Sequence, residues 1–500
     1  MDFRSGSEQS CSVTRMPAAE GSTVRIALSP PLGPTRHRIG ANLSRVKAIS
    51  PFPTVRTTRP SARTNIPSGF GRREGMLPPE VVKKVRRFYT YQAASSFAIW
   101  IPFWTLWIRG NLGSDFEFTL VDVAFWIGLL VFQLPVGVIA DRYGRKRTII
   151  LSEVFRSAGI LGYGLASTFA GFVVANVVWS LGAAFSIGTS SYLYETLLAT
   201  RHESEFPRYI GRNTMIQLLA NAAGAFAGGL FVQALGDLRL TLFVGAALNL
   251  VAVVVALTFV EPAVERTTEP TYTEQLRQGL RVVRRREGVA LLIGLEVFLG
   301  VTLYVMALYR PLYLRFLGLS DAQVAVSIAG FLVVAAIWSA FAGGISRVLG
   351  EFGTITLMVI LASAAFFGMY GAGVFPGAVL FQVPIYVVWS LQPALTTAYL
   401  NRRLEPGQRA TVLSMGAFAY TLALVVLEPA AGLLTTSTGL LSLGLFLGVL
   451  TFVPCAYILA RWRMTVAPWP AMTPLPSRLV GSGRVSRFHR LLERMSRLRP

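Results

Sequence analysis

The chain has 500 residues, 53% of them hydrophobic and 14% charged, with a mean hydropathy of +0.53. Soluble proteins carry about 25% charged residues, so this balance excludes an ordinary soluble domain and points to lipid as the solvent. The net charge of +22 sits mainly at the ends: residues 1–75 hold twelve Arg and Lys against four acids, and residues 461–500 hold nine against one.

Basic ends of this kind suit nucleic acid or an anionic membrane surface. With so apolar a body between them the membrane surface is the better reading, and no nucleic-acid partner is expected. Within the basic N-terminal tail, 1–82, the first 75 residues contain no apolar core of signal-peptide length. They read as a disordered or over-extended basic tail, with an organellar transit peptide or a start at Met76 as alternatives. Residues 464–500 read as a second basic tail. Cys11 and Cys455 give no disulfide framework, and the three His lie near no other ligand at metal spacing, so neither a metal nor a cofactor is expected.

A helix needs about 20 mostly apolar residues to cross a bilayer. Such runs fall near 88–109, 118–140, 147–167, 171–197, 212–235 and 239–260, and again near 289–309, 322–349, 354–374, 376–400, 409–434 and 438–461. The pattern predicts an all-α integral membrane protein of twelve transmembrane helices. They form two six-helix bundles, 83–260 and 288–463, joined by a linker at 261–287. Loops after even-numbered spans hold seventeen Arg and Lys, and loops after odd-numbered spans hold four: Arg109, Arg239, Arg310 and Arg315. The positive-inside rule then places both termini in the cytoplasm of a multi-pass cell-membrane protein.

The first strongly basic loop, GVIADRYGRKRTII at 137–150, sets Asp141 among Arg142, Arg145, Lys146 and Arg147. The linker places Leu276, Leu280 and Val283 on one helical stripe and Arg277, Arg281, Arg284 and Arg285 elsewhere, as in a short amphipathic helix on the inner leaflet. Thr271 and Glu274 have the spacing of a capping box. Shifting residues 137–150 by 206 positions lands on GGISRVLGEFGTIT at 343–356. Gly137 then meets Gly343, Gly144 meets Gly350, Thr148 meets Thr354, and Asp141 meets Arg347. Two pseudo-symmetric halves are a known transporter plan.

At these residues the chain closely resembles the major facilitator superfamily of secondary transporters. The family's loop after span two has a glycine, an acid four residues later, then a basic residue, any residue, a glycine and two basic residues. Gly137, Asp141, Arg142, Gly144, Arg145 and Lys146 match it at every fixed position. SIGTSSYLYETL at the end of span four and RATVLSMGAFAY opening span eleven are similar to one branch of the family. Two features of proton-coupled drug exporters are missing: Asn176 stands where many have an arginine in span four, and Ala225 where a span-five proline is expected beside Gly224, Gly228 and Gly229. The resemblance covers residues 83–463. It implies that Asp141 meets the helix start of span eleven, that Arg145 pairs with Glu195, and that these contacts hold the cytoplasmic side shut. Gly137 and Gly144 suit close packing and a sharp turn.

Ionisable residues deep in spans default to functional candidates. Glu296 in span seven and Glu428 before Pro429 in span eleven are the proton-coupling candidates, with a structural hydrogen bond as the alternative. Glu153 and Arg156, three apart in span three, read as a local ion pair. A substrate cavity between the halves draws its candidates from Gln92, Trp100 and Trp104, Gln217 and Asn221, Tyr304, Tyr386, Trp389, Gln392 and Tyr420. Each of these aromatics has packing or interface anchoring as its alternative role. The set is amphipathic and poor in charge, favouring an apolar, weakly polar or cationic small molecule over a phosphate or dicarboxylate. Pro102, Pro135, Pro384, Pro393 and Pro429 lie inside spans and are expected to kink them.

There is no phosphate-cradling Gly-rich loop and no nucleophile set, so neither an ATP-driven pump nor an enzyme is expected. The leading expectation is a monomeric, proton-coupled exporter of small molecules. The alternatives are an uptake symporter or uniporter for a sugar or metabolite, and a transporter-like ligand sensor. Asp141→Asn is expected to lower transport while leaving expression and membrane insertion intact, as measured by uptake into, or efflux from, vesicles of matched protein content.

Overall fold

The computed structural model describes residues 78–262 and 272–465, all within one compact unit that begins at Arg73. The two tails lie almost entirely outside the described residues, as does Thr271 of the expected capping box. Among the described residues every regular element is helical. Hydrocarbon offers the backbone no hydrogen-bond partners, so each segment must satisfy its own amides and carbonyls.

The first half comprises α1 (Pro79–Ser96), α2 (Trp104–Gly110), α3 (Asp115–Tyr143), α4 (Arg145–Leu165), α5 (Phe169–Ser186), α6 (Thr189–Leu198), α7 (Phe206–Leu235) and α8 (Leu238–Leu257). The linker carries α9 (Tyr272–Arg285). The second half comprises α10 (Glu287–Phe316), α11 (Asp321–Ser339), α12 (Ala342–Ala372), α13 (Gln382–Arg403), α14 (Pro406–Thr438) and α15 (Ser442–Thr465). The end of the molecule carrying the linker and the 143–145 loop is here the linker end, and the opposite one the far end. Polar caps start the helices at the far end: Ser114 accepts from the Glu117 amide, Thr168 from Gly171, Asp237 from Arg239, and Ser320 forms a capping box with Gln323.

Nine helices among the described residues are long and apolar enough to cross a membrane. The residues of the first three expected spans fall in α1 with α2, in α3 and in α4, which are not among those nine. Span one departs from expectation, because residues 97–103 interrupt it with tight turns between α1 and α2. Pro102 cannot supply a helical amide. The break is also lined by the glycines of α7, where a Cβ on Gly224 would stand 2.6 Å from the Ala98 amide nitrogen and one on Gly228 only 2.2 Å from the Ile99 carbonyl oxygen. The expected kinking prolines Pro135, Pro393 and Pro429 lie inside α3, α13 and α14.

Two other readings change. Arg310, counted among loop cations, lies inside α10 and is only 7% exposed. The helix continues to Phe316 because its flanking residues are buried, and neutral groups take the guanidinium: Gln382 Oε1 at 3.1 Å and the Tyr386 hydroxyl at 2.9 Å. In α9, Val282 and Val283 pack on the protein core while Leu280 stays exposed, so the helix leans on the bundle by a different stripe. Gly279 brings α9 close against Thr411 and Met415 of α14.

The halves meet chiefly along α3 with α14 and α7 with α11. Small residues permit the approach. A Cβ on Gly432 would lie 2.3 Å from Thr119 Oγ1, and one on Gly229 3.0 Å from the Ala325 Cβ. At the far end the Phe116 amide donates to Thr436 Oγ1 at 3.1 Å. Gly228→Ala, which forces a methyl into the interrupted span, is expected to cost about 1–3 kcal/mol and to lower the thermal unfolding midpoint in detergent, whereas Gly330→Ala, with open space around it, leaves the midpoint unchanged.

Candidate transport site and gate

Gly144 separates α3 from α4 with φ +92°, a left-handed conformation that glycine adopts without strain. That turn exposes the first amides of α4, and Glu261, just past α8, caps them: its Oε1 accepts from the Arg145 amide at 2.6 Å and its Oε2 from the Lys146 amide at 2.8 Å. A Cβ on Gly144 would stand 2.5 Å from the same carboxylate. The turn aims the Arg145 side chain at α6, where Nε donates to Glu195 Oε1 at 2.9 Å with the two side chains 18% and 11% exposed. Arg142 is exposed over the Tyr143 ring. The side chain of Asp141 lies outside the described residues. Among the described residues nothing approaches within 4 Å of where a Gly137 Cβ would stand.

The internal repeat is geometric as well as sequential. Gly350 also adopts a left-handed φ, +68°. Thr148 Oγ1 donates to the Gly144 carbonyl and Thr354 Oγ1 to that of Gly350. Where the first half has Arg145, the second has Glu351, which takes Arg403 Nη2 at 2.6 Å and Arg402 Nη1 at 3.3 Å. The ion pair is kept with its signs exchanged. Applying the 206-residue shift to Arg145 would have located Glu351 from sequence.

Within the first half, Glu153 is fully buried and receives donors from three helices: Tyr91 at 2.6 Å and Ser95 at 3.0 Å from α1, Asn249 at 3.0 Å from α8, and Arg156 at 3.2 Å from its own helix. The expected local ion pair is thus one edge of a wider network. Arg156 also lies over the Trp179 ring, 5.1 Å from its centroid. Trp100, in the interrupted stretch, meets Trp104 and Trp179 edge-on, and Trp104 stacks on Tyr163. Asn176 is buried, accepts from Tyr163 and donates to the Val121 carbonyl, so it serves the packing of α3 against α5.

Between the halves the structure gathers a second set of aromatics. Trp126 of α3 meets Tyr304 of α10 edge-on at 4.9 Å and Tyr420 of α14 at 5.8 Å. Tyr420 packs over Gly300, beside Gln392. Tyr304 donates to Asp122 Oδ2 at 3.0 Å, and Trp126 Nε1 to Glu428 Oε1 at 2.9 Å. Glu296 is half-buried on α10, close to Gly416 of α14, and among the described residues it has no hydrogen-bond or ion-pair partner. Tyr304, Tyr420 and Gln392 are therefore brought together. Tyr386 sits apart with Arg310, and Trp389 is 38% exposed and meets Tyr386 edge-on. Gln92 is buried in α1, while Gln217 and Asn221 are half-buried on α7. Asp122 escaped the sequence reading, although an acid inside an apolar run was the same signal that picked out Glu296.

The model of the Major Facilitator Superfamily matches residues 89–426. The chain belongs to that superfamily. Among its relatives is an uncharacterized MFS-type transporter, YxaM of Bacillus subtilis, 21% identical over 73% of this chain and 93% of the relative. Multidrug resistance protein 1 of the same organism is 24% identical over 57% of this chain and 74% of its own. The fold is similar to the crystal structures of the nucleoside transporter NupG (TM-score 0.60, 12% identity, covering 76% of this chain and 99% of that one) and of a D-xylose-proton symporter (TM-score 0.59, 15% identity, 76% and 97%).

Gly144→Ala is expected to cost about 1–2 kcal/mol in backbone strain alone, and it also displaces the Glu261 carboxylate. Glu261→Gln, which keeps the shape and removes the charge at the start of α4, is expected to be the milder variant. Unfolding midpoints of the two proteins in the same detergent check the order.

Proposed function

We propose that this transporter exports small amphipathic molecules across the cytoplasmic membrane in exchange for protons, by alternating access. The observation that carries the reading is the chemistry between the halves. Facing one another from α3, α10 and α14 are three carboxyls, Asp122, Glu296 and Glu428, set among Trp126, Tyr304 and Tyr420. Such a set suits protons and an apolar or cationic cargo, and it lacks the basic residues that a phosphate or dicarboxylate would need. The basic loops favour a cytoplasmic linker end and an outward-facing far end. Relatives named for multidrug resistance favour export as the direction.

Glu296 is the proton acceptor in this scheme. A carboxyl inside a span with no partnering cation is costly to ionise, and it can hold a proton while the cavity is empty of cargo and release it to the cytoplasm as cargo binds. Arg145 with Glu195 and the Glu261 cap, all within the first half, brace the turn at Gly144 that carries the inner-gate loop. Glu296→Gln is expected to abolish pH-driven transport in proteoliposomes while preserving exchange without a gradient. Unaltered pH-driven accumulation by that variant would remove Glu296 from the coupling path.

A further inference from the structure

Asp122 stands two turns into α3, and Glu428 immediately precedes Pro429 in α14. They come from opposite halves, are 3% and 0% exposed, and are neighbours: Trp126, one helical turn after Asp122 on α3, bonds Glu428 and meets the Tyr304 ring that bonds Asp122. Each takes one neutral donor, Tyr304 for Asp122 and Trp126 for Glu428. Glu428 Oε2 is buried and receives no protein donor. Among the described residues no Lys, Arg or His pairs with either group. The titratable groups around the pair are Tyr163 of α4, Tyr304 and Tyr309 of α10 and Tyr420 of α14, with Glu296 on the other side of Tyr420. An ionised carboxylate only accepts hydrogen bonds, so two carboxyls bond to each other only if one carries a proton. Two adjacent charges in a dry interface would instead repel strongly.

We propose that Asp122 and Glu428 hold one proton between them across the interface, and that this shared proton latches the far end of the transporter shut. The inference rests on the proton-coupled reading above and specifies where the proton acts on the outer gate. With the proton in place the pair is a carboxylic acid donating to a carboxylate, with one net negative charge. When the proton leaves, both groups are anionic, and α3 and α14 separate so that each can be hydrated by the opening cleft. A proton arriving from outside onto either carboxylate lets the pair re-form. Proton uptake thus closes the outer gate after cargo release, the step that resets an exporter. Tyr420 stands between the pair and Glu296, which gives the proton a way toward the cytoplasmic side. Because proton binding stabilises the latched form, closure is complete at low pH and is lost as pH rises.

The test uses the full chain in lipid nanodiscs, without substrate or gradient, with Cys11→Ser and Cys455→Ala as background. Spin labels at Gly110→Cys, where space is open, and at Ser437→Cys, which is exposed, report the distance between the halves at the far end. A short distance is expected to dominate at low pH and to give way to a longer one as pH rises. In Asp122→Asn the amide donates to Glu428 without any proton, so the short distance is expected at every pH. Glu428→Gln is expected to behave alike and serves if the first variant does not fold. In a Glu296→Gln background, the infrared carbonyl band of the shared protonated carboxyl is expected with the pair intact and lost in both variants. A parent distance that ignores pH, or a titration that survives in either variant, overturns the latch. Loss of the latch with Glu296→Gln still abolishing pH-driven transport leaves the exporter reading standing, and the converse result removes that reading alone.

Discussion

A charge carried into hydrocarbon must be neutralised where it stands, and the interior of this protein is arranged around that requirement. Glu153 shows the fullest solution: donors from α1, α4 and α8 converge on one carboxylate and so tie three helices of the first half together. Arg310 shows a second solution, in which a guanidinium is sheathed by an amide oxygen, a hydroxyl and a tyrosine face, with no acid among the described residues in the sheath. Between the halves neither solution is used. There the carboxyls face each other with two neutral donors, an arrangement held by a proton and undone by its loss.

That contrast separates scaffold from moving part. The Glu153 network lies within one half and need never break, so strong charge-assisted bonds cost nothing in function. The interface carboxyls must part in each cycle, and a bond that exists only when protonated can be switched by the medium. The gate at the linker end lies between these extremes. Arg145 with Glu195 and Glu351 with Arg403 are partly solvated pairs, each within one half, and they brace the turns at Gly144 and Gly350.

Much of this was legible in the sequence because it is local. Runs of apolar residues mark the spans, the basic loops mark one face, and a motif of six fixed positions marks the family. The repeat could be read because Gly144 and Gly350 answer a backbone demand that only glycine meets cheaply. What escaped depends on distant partners. Asp122 and Glu428 become a pair only when the halves close on one another. Glu261 looks like the first residue of a linker until the fold carries it back to the amides of α4. Arg310 read as a loop cation because its neutral partners, Gln382 and Tyr386, lie on another helix. The sign of the ion pair differs between the halves while the turn beneath it does not, so the geometry of the turn is the stricter constraint.

The interrupted first span has a consequence for the order in which the protein is made. Neither α1 nor α2 is a complete crossing, and the carbonyls between them lie against Gly224 and Gly228 of α7. Those glycines leave the ribosome more than 100 residues later. The nascent first span therefore waits, its turns tended by water, lipid headgroups or the insertion machinery, until span five arrives. The N-terminal crossing is begun first and finished only with the fifth.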